Sequence, residues 1–323
     1  MNKNFINEHE SFVQKINLSL KNYVKKSDFP SLYDPIQYIL SSEGKRLRPF
    51  LLYLSSKVYD IDDDKILPLA LSVEMLHCFS LVHDDIMDQD DLRRGKETIH
   101  KKWDLSTAIL VGDAIFALAY KNINELQNIR DILNIISQET IKLCEGQSLD
   151  KIFESKDNIS IDDYLHMIEL KTGSLLSLSC KLGGILGNGT EAEINKLGKF
   201  GNLIGKAFQI QDDILEIYSD SLIMGKSLGS DIIFSKKTFL TCFANQFNSN
   251  KWKLLNNQII DMDLNSYVLP KMREFFDNNG IKTIAENKIK ELLNEALSYI
   301  DYLPNDKNYV FSNYISMILK RKN

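Results

Sequence analysis

Five aspartates fall within the eight residues from Asp84 to Asp91, in the run His83-Asp84-Asp85-Ile86-Met87-Asp88-Gln89-Asp90-Asp91. On a helix, Asp84 and Asp88 stand one turn apart and point the same way, while Asp85 lies about 100° round the axis. Two carboxylates roughly 6 Å apart repel by about 3 kcal/mol at an effective dielectric of 20. A helix has little reason to end an apolar face on such a pair unless a cation sits between them. Oxygen-only ligands favour a hard cation such as Mg2+, which keeps some of its water and bridges to phosphate groups. For one cluster alone, a solvated acidic helix end is an equally good reading. A second cluster weighs against it. Gln209-Ile210-Gln211-Asp212-Asp213-Ile214-Leu215-Glu216 repeats the carboxylate spacing i, i+1, i+4, and it too follows an apolar helical stretch. Two such clusters on facing helices would frame a cavity with acid on both sides, suited to several metal ions holding a diphosphate.

Basic residues complete such a site. Gly44-Lys45-Arg46-Leu47-Arg48-Pro49 holds two arginines and a lysine, and Arg93-Arg94-Gly95 follows the first acidic cluster. The arginine fork matches phosphate oxygens, and lysine acts as a point charge. Either motif alone is an ordinary surface feature. Lys171-Thr172-Gly173 is less ordinary, because it interrupts an apolar helix that includes Ile168, Leu170, Leu175 and Leu176. A mid-helix Gly costs about 1 kcal/mol relative to Ala. A lysine there should either be paired, with an anionic ligand one candidate, or snorkel to the surface.

The elements that position these groups read as helices. With 15 Gly and 6 Pro in 323 residues, the chain is poor in turn residues, which favours long elements with few connections. Leu69, Val73, Leu76 and Ser80 recur at helical spacing across 66–88 and lead onto Asp84 and Asp88. Ile109, Gly112, Phe116 and Tyr120 do the same across 105–127. Ser160 and Asp163 resemble a capping box opening a helix toward 180. Asn188-Gly189 marks a turn, and 191–218 and 285–302 read as further helices. Short β-branched runs alternating with helices are absent, so the expected fold is all-α. Without a linker or low-complexity tract, residues 1–323 are expected to form a single domain. The 39 Lys+Arg against 44 Asp+Glu, net −5, exclude the basic stripe of a nucleic-acid binder. The N-terminus lacks the apolar core of a signal peptide, and the stretch Ile66–Val82 reads as too short and too polar to cross a membrane. A cytoplasmic location is therefore expected. Cys78, Cys144, Cys180 and Cys242 are scattered with no CxxC, and read as small buried hydrophobes in a reducing compartment.

Taken together, these motifs closely resemble those of the trans-isoprenyl diphosphate synthases, or polyprenyl synthetases. The likeness runs from Gly44 to Thr238 in the family's order. It also takes in Val111–Ala117, Phe208–Leu215 and the stretch Gly225-Lys226 to Asp231. It implies a bundle of roughly ten or more helices around a central cavity, assembled as a homodimer. It implies roughly two to three Mg2+ ions, with Asp84 and Asp88 holding two and Asp212 the third. Asp85, Asp213 and Glu216 would be outer or water-mediated partners. Glu216 departs from the aspartate common in the family, which leaves its ligand role open. Arg93, Lys171, Lys226 and Lys236 would hold an allylic diphosphate, with Thr172 and Gln209 near the developing cation. Lys45, Arg48, His77 and Arg94 would bind isopentenyl diphosphate.

The resemblance also bears on product length. An aromatic residue five positions before the first aspartate, here Phe79, often forms the floor of the product tunnel, which implies geranylgeranyl diphosphate (C20), with farnesyl diphosphate (C15) the rival. A helical wheel disagrees in part, since it places Ser80 rather than Phe79 near the direction of Asp84. Other readings fit less well. A terpene cyclase would normally carry an Asn/Ser/Glu-type second site, and a non-catalytic subunit tends to lose an acidic cluster. A di-iron bundle would use Glu74 with His77 and Glu97 with His100, leaving both aspartate clusters unexplained.

Overall fold

A computed structural model describes residues 3–24, 29–124, 126–219, 236–247, 249–260 and 268–319. The fold is all-α, as expected. Helices α1 (Lys3–Lys21), α2 (Pro30–Leu40) and α3 (Leu47–Lys57) lead into α4 (Asp63–Met87). A hairpin of two-residue strands, β1 (Leu92–Arg93) and β2 (Lys96–Glu97), precedes the short α5 (Ile99–Lys102). Next come α6 (Leu105–Lys121), α7 (Ile129–Glu154), α8 (Ile161–Ile168), α9 (Ser174–Leu186) and α10 (Glu191–Tyr218). The chain continues through α11 (Phe239–Phe247), α12 (Ser249–Ile260), α13 (Val268–Asn278), α14 (Ile281–Ser298) and α15 (Asn305–Leu319).

Local chemistry sets the ends. The Ser160 hydroxyl accepts from the Asp163 N–H at 3.0 Å and Asp163 answers the Ser160 N–H, so the expected capping box starts α8. The same device, Thr190 with Glu193, starts α10. The reading over 105–127 was too long by about two turns. α6 stops at Lys121, where Asn122 caps it and its side-chain amide bonds the Pro68 carbonyl of α4.

The centre of the bundle is α4, packed between α3, α6 and α9. Ile66, Leu69, Val73, Met75 and Leu76 are all buried. A helix apolar all round belongs in a core. It is also longer than the Ile66–Val82 stretch suggested: at 25 residues it is long and apolar enough to cross a membrane, yet most of its apolar window is buried inside the bundle. Of the cysteines, Cys78, Cys180 and Cys242 are buried as expected; Cys144 is exposed on α7, correcting that part of the reading.

Candidate active site

Both acidic clusters open on one cavity of about 700 Å3. From α4 come His77, Ser80, Asp84 and Asp88; from α10 come Gln209, Asp212, Asp213 and Glu216. Lys45 and Arg48 reach it from the start of α3, Arg93 and Arg94 from the hairpin, and Lys236 from just before α11. Asp85 and Phe79 do not line this cavity, and Lys226 lies outside the described residues.

Lys171 and Thr172 enter by an irregular turn. Between α8 and α9, residues Glu169–Gly173 form a single π-helical turn, the backbone's answer to the Lys-Thr-Gly interruption. Both facing glycines serve close approach: a Cβ on Gly173 would fall 2.7 Å from the Asn202 side-chain amide, and one on Gly205 of α10 would fall 2.6 Å from the Gly173 Cα. The lysine is paired, the first of the two outcomes its apolar setting left open. Its Nζ meets the buried Asp150 of α7 at 2.5 Å. Burial alone would lower the Lys171 pKa, but Asp150 and Asp84 outweigh it and raise it. Sequence reasoning missed Asp150; the available signal was a polar pair, Gln147 and Asp150, three apart on one helix.

The members of each cluster do different work. Asp88 caps the end of α4, and its Oδ2 meets Lys236 Nζ at 2.6 Å. Burial pushes its pKa up, but Lys236, Lys171 and Lys151 together hold it below the usual carboxylate range. For Asp84, burial dominates, and its pKa is raised despite Lys171. Asp85 turns away to Arg93, whose Nε donates to it at 2.6 Å while Nη2 bonds Asp90 at 2.9 Å. Thus Arg93, expected on a phosphate, is also the brace of the acidic segment. The middle acid of the second cluster, by contrast, lines the cavity and is anchored by hydrogen bonds. Asp213 accepts from the Tyr164 hydroxyl, from Gln209 Nε2 at 3.2 Å and from the Phe239 N–H at 2.8 Å. Thr172 Oγ1 donates to Gln209 Oε1 at 2.8 Å, so one amide links the π turn to Asp213.

The basic residues also divide. Arg46 is buried with φ 46°, and its guanidinium bonds Glu74, Asn17 and the Ser42 carbonyl. It braces the loop, and it lines the cavity together with Glu74. Glu74 is thereby occupied, which removes it as an iron ligand. Arg48 Nη1 lies 3.3 Å from His77 Nε2. A guanidinium only donates, so Nε2 accepts and the ring proton sits on Nδ1. Burial, then Arg48 and Arg94, hold the His77 pKa well below its ordinary value, so the ring is neutral at pH 7. Arg94 donates to the Glu43 carbonyl at 3.1 Å, tying the hairpin to the Gly44 loop.

The donors fit a hard divalent ion. Asp88 Oδ1 is buried without a hydrogen-bond partner among the described residues. Among these residues, no three His, Cys, Asp or Glu side chains converge on one point. An ion here must complete its shell with water and ligand oxygens, which is the habit of Mg2+ with phosphates.

The polyprenyl synthetase profile matches residues 29–268. This chain belongs to the polyprenyl synthetase family. Relatives agree. A short chain isoprenyl diphosphate synthase of Methanocaldococcus jannaschii is 34% identical over 296 residues, 91% of this chain and 84% of that one. A geranylgeranyl diphosphate synthase of Saccharolobus solfataricus is 40% identical over 234 residues, 71% of this chain and 70% of its own. The crystal structure of a geranylgeranyl pyrophosphate synthetase from Pyrococcus horikoshii superposes with a TM-score of 0.91 at 30% identity, covering 99% of each chain. This polyprenyl synthetase is therefore an isoprenyl diphosphate synthase, a prenyltransferase.

A second cavity of about 540 Å3 adjoins the first in the polyprenyl synthetase, sharing Ser80, Asp84 and Leu143 with it. Its walls are largely apolar and include Phe79, Met87 and Ile152. Ser80 leads from one cavity to the other beneath Asp84, as the helical wheel indicated. Phe79 lines only the second cavity, where its ring packs 5.1 Å from Phe116 and 5.0 Å from His83. His83 in turn requires Gly112 of α6, since a Cβ there would lie 2.1 Å from its Nε2.

Proposed function

We propose that this enzyme condenses isopentenyl diphosphate with an allylic diphosphate and releases geranylgeranyl diphosphate. The observation that carries this is the pair of joined cavities: one lined by opposed carboxylates and cations, the next apolar. Asp84, Asp88 and Asp212 would hold Mg2+, with Asp85, Asp213 and Glu216 behind them; the bound ions neutralise charge on the departing diphosphate. Arg93, Lys171, Lys226 and Lys236 bind the allylic diphosphate and stabilise the negative charge as the C–O bond breaks. Gln209 and Thr172 present oxygen dipoles to the allylic carbon as it becomes cationic. Lys45, Arg48, Arg94 and neutral His77 anchor isopentenyl diphosphate so that its double bond meets that carbon. The new C–C bond forms, and a proton then leaves for the released diphosphate. Apolar walls exclude water that would quench the cation.

The growing chain runs past Ser80 into the second cavity, and the Phe79 ring limits its length. The whole chain, 1–323, acts as a single polyprenyl synthetase domain in the cytoplasm. It works as a homodimer, which covers Leu105, Ile109 and Leu110 of α6, three exposed apolar side chains. The test is incubation with isopentenyl diphosphate, Mg2+ and each of dimethylallyl, geranyl and farnesyl diphosphates, followed by sizing of the dephosphorylated products. C20 alcohol is expected. A C15 end product moves the reading to farnesyl diphosphate synthase. No consumption of isopentenyl diphosphate with any starter overturns it in favour of a non-catalytic subunit, or of a cyclase if cyclic hydrocarbons appear.

A further inference from the structure

Lys151 stands on α7 one position beyond Asp150, outside every motif used so far. Its Nζ donates to the Met87 carbonyl at 3.0 Å and pairs with Glu154 at 2.7 Å. The same ammonium lies 3.7 Å from Asp88 Oδ1, the buried oxygen that has no hydrogen-bond partner among the described residues. The other oxygen of that carboxylate is taken by Lys236. Met87 ends α4, and the negative end of a helix favours a cation there. Two bonds therefore hold the Lys151 charge beside Oδ1, although the side chain is 35% exposed.

We propose that Lys151 is a positioning residue that keeps Asp88 Oδ1 oriented and opposes divalent metal there, so that metal binds well only together with a diphosphate. This rests on the metal-holding role proposed for Asp88. A divalent ion taking Oδ1 comes within a few ångströms of the fixed ammonium and is repelled by it. A diphosphate arriving with the ion adds the negative charge that offsets Lys151. Metal and diphosphate then bind cooperatively, and the enzyme does not fill its acidic clusters with metal while substrate is absent.

The test reads metal binding rather than turnover. Free Mn2+ is followed by electron paramagnetic resonance as it is titrated into the full chain, with and without inorganic diphosphate. Lys151→Gln keeps a donor for Met87 and removes the charge; Lys151→Arg keeps both. Lys151→Gln should bind Mn2+ about three- to tenfold more tightly than the unaltered protein, with the larger gain when diphosphate is absent. Lys151→Arg should match the unaltered protein. Unchanged or weaker binding by the Gln variant overturns the proposal, as does an Arg variant that behaves like Gln. Lys151→Met serves the same comparison if the Gln variant does not fold. Asp88→Asn separates the two readings. If it binds Mn2+ as well as the unaltered protein, the metal role of Asp88 fails, and the Lys151 proposal with it.

Discussion

The two acidic clusters share a spacing and differ in what surrounds them. The α4 cluster sits at a helix end among charged groups: Asp88 against Lys236, Asp85 against Arg93. The α10 cluster sits within a helix, and its middle acid, Asp213, takes three neutral donors from three separate elements. In both, the acids at i and i+4 line the cavity. In the first, the acid at i+1 is held back from it by a cation; in the second, the acid at i+1 is anchored by neutral donors. The difference teaches that, among the described contacts, a charge holds the inner acid of the first cluster and hydrogen bonds from neutral groups hold that of the second. The first should respond more strongly to salt and pH, and the inner acid of the second to the loss of single hydrogen bonds, while both respond to metal.

The largest expected effect lies at Asp84. Asp84→Asn should cut condensation by at least about a hundredfold, measured by isopentenyl diphosphate incorporation. Burial raises the Asp84 pKa, so the folded state holds that proton more tightly than the unfolded chain. The resulting penalty is absent below the unfolded pKa and complete above the raised one. The Asn variant should therefore melt at higher temperature than the unaltered protein at pH 8, a gain that fades toward pH 4. Asp88 carries the opposite sign. Its lowered pKa contributes stability above the unfolded value that is lost as pH falls through the folded one, so Asp88→Asn should lower the melting temperature at pH 8. Equal signs at the two positions would break the charge-tuned reading of this cluster.

At the second cluster, Asp213→Ala should destabilise the fold by about 3–5 kcal/mol in urea melts, because it strands the Tyr164 hydroxyl and the Phe239 N–H in the core. Tyr164→Phe should remove about 1–2 kcal/mol, and neither loss should vary between 0.05 and 0.5 M salt, a range over which exposed charges become screened. Arg93→Met sharpens the contrast. It leaves Asp85 buried without its guanidinium and should lower stability by about 2–3 kcal/mol, with a smaller loss in high salt. Salt dependence at Asp213 as strong as at Arg93 would erase the distinction. The smallest effect on turnover is expected at Phe79. Phe79→Ala should lengthen the product with little loss of rate; an unchanged product distribution would remove this ring as the tunnel floor.

Much of this site was legible in the sequence because it is built on helices. Carboxylates at i and i+4 on an apolar face must emerge together, so Asp84 with Asp88 and Asp212 with Glu216 could be read from spacing, while the choice of metal holders among them came from the family resemblance. Asp150 and Tyr164 could not. Their partners, Lys171 and Asp213, lie 21 and 49 residues away, and no local period links them. Phe79 and Ser80 mark the boundary between the two kinds of knowledge. The wheel correctly set Ser80 beneath Asp84, but only the approach of α7 to α4 made a second cavity that reaches Phe79.

What the sequence determined by itself was the inventory and its local direction: an all-α chain, two acid faces, a set of cations and a Lys-Thr-Gly interruption in an apolar helix. Those follow from intrinsic periodicity and short-range chemistry. What only the tertiary structure decided was partnership. It set which cation braces and which faces the cavity, sent Arg46 to Glu74, gave Asp85 to Arg93, and brought Lys151 beside Asp88. Charges separated by dozens of residues meet only when helices pack, and the energy of each depends on burial and distance that no single helix contains.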